Sequence, residues 1–265
     1  MLLGRAGHRR PELTSTAAAL ATAEPMCEGH PVDRAVVDQS RSGLTRWTPG
    51  ADTTTHLYLY DNQLTELPDS IGTLRQLRVL DLAGNVLREL PDTVGQCRRL
   101  EYLYLHDNQL PDLPNELGRL SELLYLNVSR NPIGALPEAL GDMGGLIELR
   151  AESTGAADVP DGVCSLPRLR ELHLRGNRIA DLPVTDLPDL RYLNLRDNRL
   201  RAFPPSLSGL PRLRELDVRQ NGIAHAPPFL LDLPLLDKID LRWNRIRDDD
   251  RVVLTLRKRG CLVHI

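Results

Sequence analysis

The amino-acid sequence predicts an α/β solenoid, a right-handed horseshoe with a parallel β-sheet on its concave side and short helices or 3-10 turns on its convex side. Three observations predict this fold. An asparagine recurs every 23 residues, leucines occupy fixed places around it, and a Leu-Pro pair often follows it. Units of this length cannot bury a core alone, so neighbouring units must stack to form one.

The recurring asparagine defines position nine of each unit. Position nine is occupied by Asn62, Asn85, Asn108, Asn131, Asn177, Asn198, Asn221 and Asn244. Thr154 replaces asparagine in the fifth unit, and the step from Asn177 to Asn198 is 21 residues. The pattern therefore predicts about nine units over residues 54–247, with a weak fifth unit and a short sixth one.

The apolar residues within each unit predict its local structure. In Leu80-Asp81-Leu82 the alternation is typical of a short strand whose two leucines face the same side. A Leu-Pro pair such as Leu67-Pro68 then presets the start of a short helical turn. Each unit is thus expected to supply one strand to the concave sheet and one turn to the convex side.

This pattern, LxxLxLxxNxLxxLPxxLxxL, resembles the leucine-rich-repeat family over about nine units from Thr54 onward. The unit length and the Leu-Pro step are most similar to the intracellular type found in Ras-suppressor proteins, plant intracellular Ras-group proteins and bacterial homologues. The resemblance implies that each position-nine asparagine bonds the backbone of neighbouring units in a ladder. It also implies protein binding, with small GTPases or signalling complexes as the partners that such relatives suggest.

A solenoid must close both of its ends. Residues 31–53 are predicted to form the N-terminal cap, with Val36, Val37, Leu44 and Trp47 covering the first unit. Residues 248–265 are predicted to form a C-terminal cap, a helix followed by a strand. Residues 1–30 have no apolar period, which predicts disorder, with an export segment as the alternative.

Composition narrows the class of protein. The formal net charge is −3, which does not favour a general nucleic-acid or membrane-surface binder. No apolar run is long enough to span a membrane, and the N-terminus is not a convincing signal peptide. The four cysteines have no CxxC spacing, and arginine far outnumbers lysine. We expect a cytoplasmic bacterial protein, with a secreted effector as the alternative.

The strand residues at positions three, five and seven point away from the core, onto the concave sheet. All six tyrosines of the chain fall on these columns: Tyr58, Tyr60, Tyr102, Tyr104, Tyr125 and Tyr192. Strand propensity accounts for part of this enrichment, but it does not explain why tyrosine is absent elsewhere. Because tyrosine and arginine dominate the energetics of protein interfaces, the pattern predicts a partner-binding face.

Arginine fills position seven of the last four units, as Arg175, Arg196, Arg219 and Arg242. This arginine column either binds an acidic or phosphorylated segment or pairs with nearby aspartates, and the sequence leaves both open. Trp243, at position eight, either extends the column or shields the C-terminal end. The predicted binding face is completed by His56, His106, Arg150 and His173.

Nothing in the sequence indicates catalysis, a metal or a cofactor. The chain has no P-loop, HExxH or GxSxG motif, and no acid completes a triad with Ser129 and His106. The three histidines of the face lie in different units, which argues against a shared metal. We therefore expect a monomeric, non-enzymatic adaptor that binds a protein. A secreted effector using the same face is the alternative, and an enzyme or a nucleic-acid binder is less favoured.

Overall fold

The computed structural model describes residues 35–50, 52–183 and 185–265. These residues form one open sheet of eleven parallel strands, in which each strand pairs with the next along the chain. The predicted disordered segment 1–30 lies outside the described residues. The strands are β1 Ala35–Asp38, β2 Thr54–Tyr58, β3 Val79–Asp81, β4 Tyr102–Tyr104, β5 Tyr125–Asn127, β6 Glu148–Arg150, β7 Glu171–His173, β8 Tyr192–Asn194, β9 Glu215–Asp217, β10 Lys238–Asp240 and β11 Leu262–His264.

The register of the sheet aligns equivalent positions of successive units. Leu80 lies opposite Leu103, and Asp81 lies opposite Tyr104. The leucines at positions four and six, such as Leu80 and Leu82, are fully buried and stack into one continuous core. Positions three and five therefore form columns on the other face of the sheet. The predicted α/β solenoid is confirmed.

Short 3-10 helices occupy the opposite side of the units. They are Asp69–Thr73, Asp92–Gln96, Asn115–Arg119, Glu138–Asp142, Val163–Ser165, Pro205–Gly209 and Pro228–Leu231. A proline such as Pro68 precedes most of them and holds φ near the value a helix needs. Neighbouring turns pack backbone to backbone: a Cβ on Gly95 would lie 2.3 Å from the carbonyl oxygen of Glu116. The short sixth unit has no 3-10 helix in its described residues.

The position-nine asparagines form the ladder that the family resemblance implied. Asn131 donates from Nδ2 to the carbonyl oxygens of Leu105 at 2.9 Å and Val128 at 3.0 Å. Its Oδ1 accepts the backbone N–H of Leu110 at 3.1 Å. In the weak fifth unit, the Thr154 hydroxyl donates to Oδ1 of the next asparagine at 3.0 Å. One buried amide thus connects three stretches of backbone in two units.

The residue before each ladder position has a left-handed backbone conformation in all nine units. These residues are Asp61, Gly84, Asp107, Arg130, Ser153, Gly176, Asp197, Gln220 and Trp243. This turn ends the strand and directs the following asparagine towards the core. Glycine and aspartate tolerate such a conformation best, whereas a bulky aromatic residue is unusual there. Arg130 and Gln220 are also large, but Trp243, with φ of 60°, is the one aromatic residue in the series.

Both ends of the core are covered. Strand β1 pairs with β2, Trp47 is buried, and Val37 and Leu44 pack against the core. Val36 instead is exposed, because it points to the other side of its strand.

At the C-terminus, helix Arg251–Lys258 begins at Asp250, whose side chain accepts the N–H groups of Val252 and Val253. Strand β11 then pairs with β10. No helix in the described part of the chain has the length and apolar character needed to cross a membrane.

Replacing Asn131 by alanine tests the ladder. The substitution leaves two buried carbonyl oxygens and one buried N–H without the side-chain partners they have now. An unsatisfied buried polar group costs about 1–3 kcal/mol, so we expect the free energy of unfolding in urea to fall by about 2–3 kcal/mol. Asn115→Ala, at an exposed position of a 3-10 helix, is the control and should change it by less than about 1 kcal/mol. Equal losses would contradict a stabilising ladder.

Candidate partner-binding face

The concave face consists of the side chains at positions three, five and seven, and their exposure varies along the solenoid. In its first half, Tyr102 and Tyr125 are buried, although the sequence predicts them as contact residues. In its second half, Arg175 is exposed and Trp243 is 62 % exposed. Because parallel strands lie only about 4.8 Å apart, large side chains on neighbouring strands bury one another.

The tyrosines of the first half pack against each other. The rings of Tyr104 and Tyr125 have centroids 4.9 Å apart, and Asn127 Nδ2 donates to the Tyr125 hydroxyl oxygen at 3.3 Å. Burial raises the pKa of Tyr125 to about 12, and it raises the pKa of Tyr104 as well. Tyr102 and Tyr125 are therefore mainly packing residues and leave little side-chain surface for a partner to contact.

The remaining residues at the N-terminal end are half-buried. His56 has its ring 6.4 Å from that of Tyr58, and its Nδ1 lies 2.9 Å from the Thr55 hydroxyl. The guanidinium of Arg41 lies 5.4 Å from the centroid of the Tyr60 ring. His56, Tyr58 and Tyr60, which the sequence predicts as contact residues, thus retain some accessible surface, as does the half-buried Tyr104.

A cluster of ionisable residues lies in the middle of the face, where β6 and β7 pair. We call Glu148, Arg150, Glu152, Glu171 and His173 the acidic centre. Glu148 is 0 % exposed; its Oε1 accepts from Arg150 Nε at 2.5 Å, whereas its Oε2 has no hydrogen-bond partner. His173 Nε2 lies 3.2 Å from Glu171 Oε2, and its Nδ1 lies 3.7 Å from Glu152 Oε1. Three carboxylates thus surround one imidazole.

The sequence predicts Arg150 and His173 as contact residues, but it does not predict the glutamates that surround them. Glu148 and Glu171 both occupy position three, so the register places them side by side on β6 and β7. Like charges directly opposite each other destabilise a sheet, so consecutive glutamates in one column are a signal that something compensates them.

No side-chain hydrogen bond joins His106 and Ser129 in the described part of the chain. The Ser129 hydroxyl oxygen accepts the backbone N–H of Glu152 at 3.1 Å, which is a structural bond between units. His106 Nδ1 is buried without a hydrogen-bond partner, and burial lowers the pKa of its imidazole. The geometry gives no support to a nucleophile activated by this histidine.

The arginine column divides into two halves. Arg219 Nη2 lies 2.5 Å from Asp217 Oδ2, its Nε lies 3.3 Å from Asp240 Oδ2, and Arg242 Nη2 lies 2.7 Å from Asp240 Oδ2. Burial by itself would raise the pKa of the Asp240 carboxyl. The hydrogen bonds and charges of Arg242 and Arg219 outweigh burial, so the pKa of Asp240 is lowered. In the described part of the chain, Arg175 and Arg196 have no carboxylate partner. The sequence left lattice and binding open, and the structure assigns Arg219 and Arg242 to a charge lattice.

Trp243 lies beside this column. Its ring centroid is 5.5 Å from the guanidinium carbon of Arg196 and 5.6 Å from that of Arg242. We call Arg175, Arg196, Arg242 and Trp243 the arginine–tryptophan patch. Tyr192 lies beside the acidic centre, with its ring 4.9 Å from that of His173. We call Tyr102, Tyr104 and Tyr125 the tyrosine wall, so along the chain the face has this wall, then the acidic centre and then the arginine–tryptophan patch.

Comparison with known proteins identifies the family. The leucine-rich-repeat family model matches residues 52–110 and 167–223. A leucine-rich-repeat protein of Leptospira interrogans is similar to this chain at 31 % identity and a TM-score of 0.75. That likeness covers 81 % of this chain and 55 % of the other, so this chain spans about half the length of the Leptospira protein. The chain belongs to the leucine-rich-repeat family.

Two further solved structures have a similar fold. The PEPR1–AtPEP1 complex is 27 % identical, with a TM-score of 0.62 over 72 % of this chain and 29 % of that chain. The plant peptide hormone receptor RGFR1 in complex with RGF2 is 26 % identical, with a TM-score of 0.59 over 74 % of this chain and 37 % of that chain. A comparison with curated proteins gave no match.

Removing Arg150 tests whether it neutralises the buried Glu148. In Arg150→Ala the fully buried carboxylate loses its hydrogen-bonded cation, and breaking a buried pair costs about 3–5 kcal/mol. We expect the free energy of unfolding in urea to fall by that order. The control Arg78→Ala breaks an exposed pair with Glu101 and should cost about 1 kcal/mol or less. If the two variants lose the same stability, Glu148 does not depend on Arg150.

Proposed function

We propose that this protein is a non-enzymatic adaptor that binds a partner protein on its concave face and anchors it at the arginine–tryptophan patch. Two observations carry the proposal: Arg175 and Arg196 have no carboxylate partner in the described chain, and the guanidinium of Arg196 lies against the ring of the exposed Trp243. Tryptophan and arginine concentrate binding energy at protein interfaces. A guanidinium bonds carboxylate and phosphate well, which favours an acidic or phosphorylated segment.

The conformation of Trp243 supports this assignment. A bulky residue held at positive φ costs on the order of 1–3 kcal/mol, and strain of this kind concentrates at functional sites. The equivalent positions in other units carry residues such as Asp61, Gly84 and Ser153, so the fold itself does not call for an aromatic ring. The two flanking arginines also hold the indole in place, which lowers the entropy lost when a partner binds.

The family supports the choice of a protein ligand. The leucine-rich-repeat fold serves in general as a protein–protein interaction module. Among the similar structures, a plant peptide hormone receptor is seen in complex with RGF2. These relatives are much longer than this chain. The partner of this chain therefore has to be inferred from the chemistry of its own surface.

The charges of the face favour a protein over a nucleic acid. Aspartates pair with Arg219 and Arg242, and the chain has a formal net charge of −3. Tracking a nucleic-acid backbone requires many phosphate contacts from unpaired cations, and Arg175 and Arg196 supply two.

We further propose that the protein acts in the cytoplasm as a monomer.

Affinity capture from a lysate of the source cell tests the proposal. The variant Arg175→Ala, Arg196→Ala, Trp243→Asn removes the two unpaired arginines and the tryptophan of the patch, and asparagine keeps a residue that tolerates positive φ. Hot-spot residues are worth about 2 kcal/mol or more each, so we expect at least a tenfold loss of the captured partner and of its affinity measured by calorimetry.

A matched variant controls for the loss of exposed side chains as such. Arg168→Ala, Arg201→Ala, Leu254→Ala removes two exposed arginines and one exposed apolar residue outside the sheet, and it should bind like wild type. A partner held equally by the patch variant would overturn the anchor. Absence of any partner would count against a cytoplasmic adaptor, and capture abolished by nuclease would indicate nucleic acid instead.

A further inference from the structure

We propose that the acidic centre binds one divalent transition-metal cation, such as zinc, through Glu148, Glu171 and His173. One ligand atom from each of these three residues lies within 4.8 Å of the others. An imidazole with two carboxylates is a donor set that suits zinc and its neighbours in the first transition series, whereas calcium and magnesium prefer oxygen ligands alone. This inference goes beyond the proposed adaptor function and does not depend on it.

One oxygen of the buried Glu148 carboxylate has no partner among the described residues. Glu148 is 0 % exposed, and its Oε2 has no hydrogen-bond partner in the described structure. Leaving one oxygen of a buried carboxylate unsatisfied is costly, so native structures bond such atoms to something. A cation at the centre would bond this carboxylate directly.

The charges of the centre also call for a cation. Three carboxylates, those of Glu148, Glu152 and Glu171, approach one imidazole, and Arg150 contributes one positive charge by bonding to Glu148. One carboxylate oxygen of Glu148 lies within 4.8 Å of one of Glu171, and like charges this close repel because the protein interior screens them poorly. A divalent ion would neutralise the two carboxylates that flank His173 Nε2.

The distances suit a small ion. Ligands at about 2.0–2.2 Å from a tetrahedral zinc stand roughly 3.4 Å from one another. His173 Nε2 lies 3.2 Å from Glu171 Oε2 and 3.8 Å from Glu148 Oε1. Small rotations of the two glutamate side chains would therefore complete three ligand bonds, leaving a fourth position for water or for a group from a partner.

The surroundings of His173 fit a ligand histidine. Metal-binding histidines usually present their second ring nitrogen to a carboxylate, which fixes the ring and makes it a better ligand. Here Nδ1 faces Glu152 Oε1 at 3.7 Å, while Nε2 faces the two proposed glutamate ligands. The ring of Tyr192, with its centroid 4.9 Å away, packs beside the imidazole and limits its rotation.

Calorimetric titration of the chelator-stripped, tag-free full chain with zinc chloride tests the proposal. The background carries Cys27→Ser, so that a thiol outside the described residues does not contribute a site. Buried Cys97 and Cys164 are poor competitors because burial raises the pKa of their thiols to about 11 and about 12. We expect one zinc per chain, confirmed by elemental analysis, and a melting temperature that rises when zinc is added.

Three variants locate the site. His173→Gln and Glu171→Gln each remove a ligand and should weaken zinc binding at least tenfold, while Glu152→Gln should weaken it about tenfold through His173. The control variants His225→Gln and Glu122→Gln change exposed residues elsewhere and should bind zinc like the parent chain. Circular dichroism checks each fold, and Glu171→Gln carries the test if His173→Gln does not fold.

Three results would overturn the proposal. Zinc fails to bind at one equivalent, or it binds with unchanged affinity after His173 and Glu171 are replaced, or calcium or magnesium binds more tightly than zinc. The first result would leave His173 as the internal partner of the surrounding carboxylates. None of these results bears on partner binding at the arginine–tryptophan patch, so the two proposals fail separately.

Discussion

Each position-nine asparagine bonds the backbone of its own unit and of the unit before it, and the rest of the structure depends on that link. Asn131 connects Val128 of its own strand segment with Leu105 and Leu110 of the preceding unit. A unit of this size cannot bury a core alone, so stacking and the ladder must form together. Thr154 shows the tolerance of the arrangement, because its hydroxyl reaches the next asparagine when the amide is missing.

Stacking fixes the register, and the register decides what the concave face can do. Equivalent positions meet side by side, so any residue type repeated in one column becomes a continuous strip. Repeated tyrosine produces a packed wall in which Tyr125 is nearly inaccessible. Repeated glutamate, as in Glu148 and Glu171, produces like charges that must be compensated, and this is where the proposed cation site lies. Repeated arginine leaves guanidinium groups unpaired only where no aspartate lies close enough to bond them.

Two regions on the same face of the sheet thus have different proposed ligands, a partner protein and a metal ion. The arginine–tryptophan patch is accessible, partly unpaired and suited to an anionic segment of a partner. The acidic centre is nearly closed and suited to a small cation. Tyr192 contacts His173, and Arg175 follows His173 by two residues, so the two regions of opposite charge adjoin each other.

The sequence by itself determined the solenoid, its units and the column to which each concave residue belongs, because a 23-residue period leaves one register in which the leucines stack. It did not determine the accessibility of Tyr102 and Tyr125, which depends on how side chains crowd on adjacent strands. The sequence also left the pairing of the arginines open, since the ion pairs of Asp240 with Arg219 and Arg242 depend on side-chain distances between and within units. The left-handed turn at Trp243 and the convergence of Glu148, Glu171 and His173 likewise arise from tertiary structure, because they depend on backbone dihedrals and distances between units.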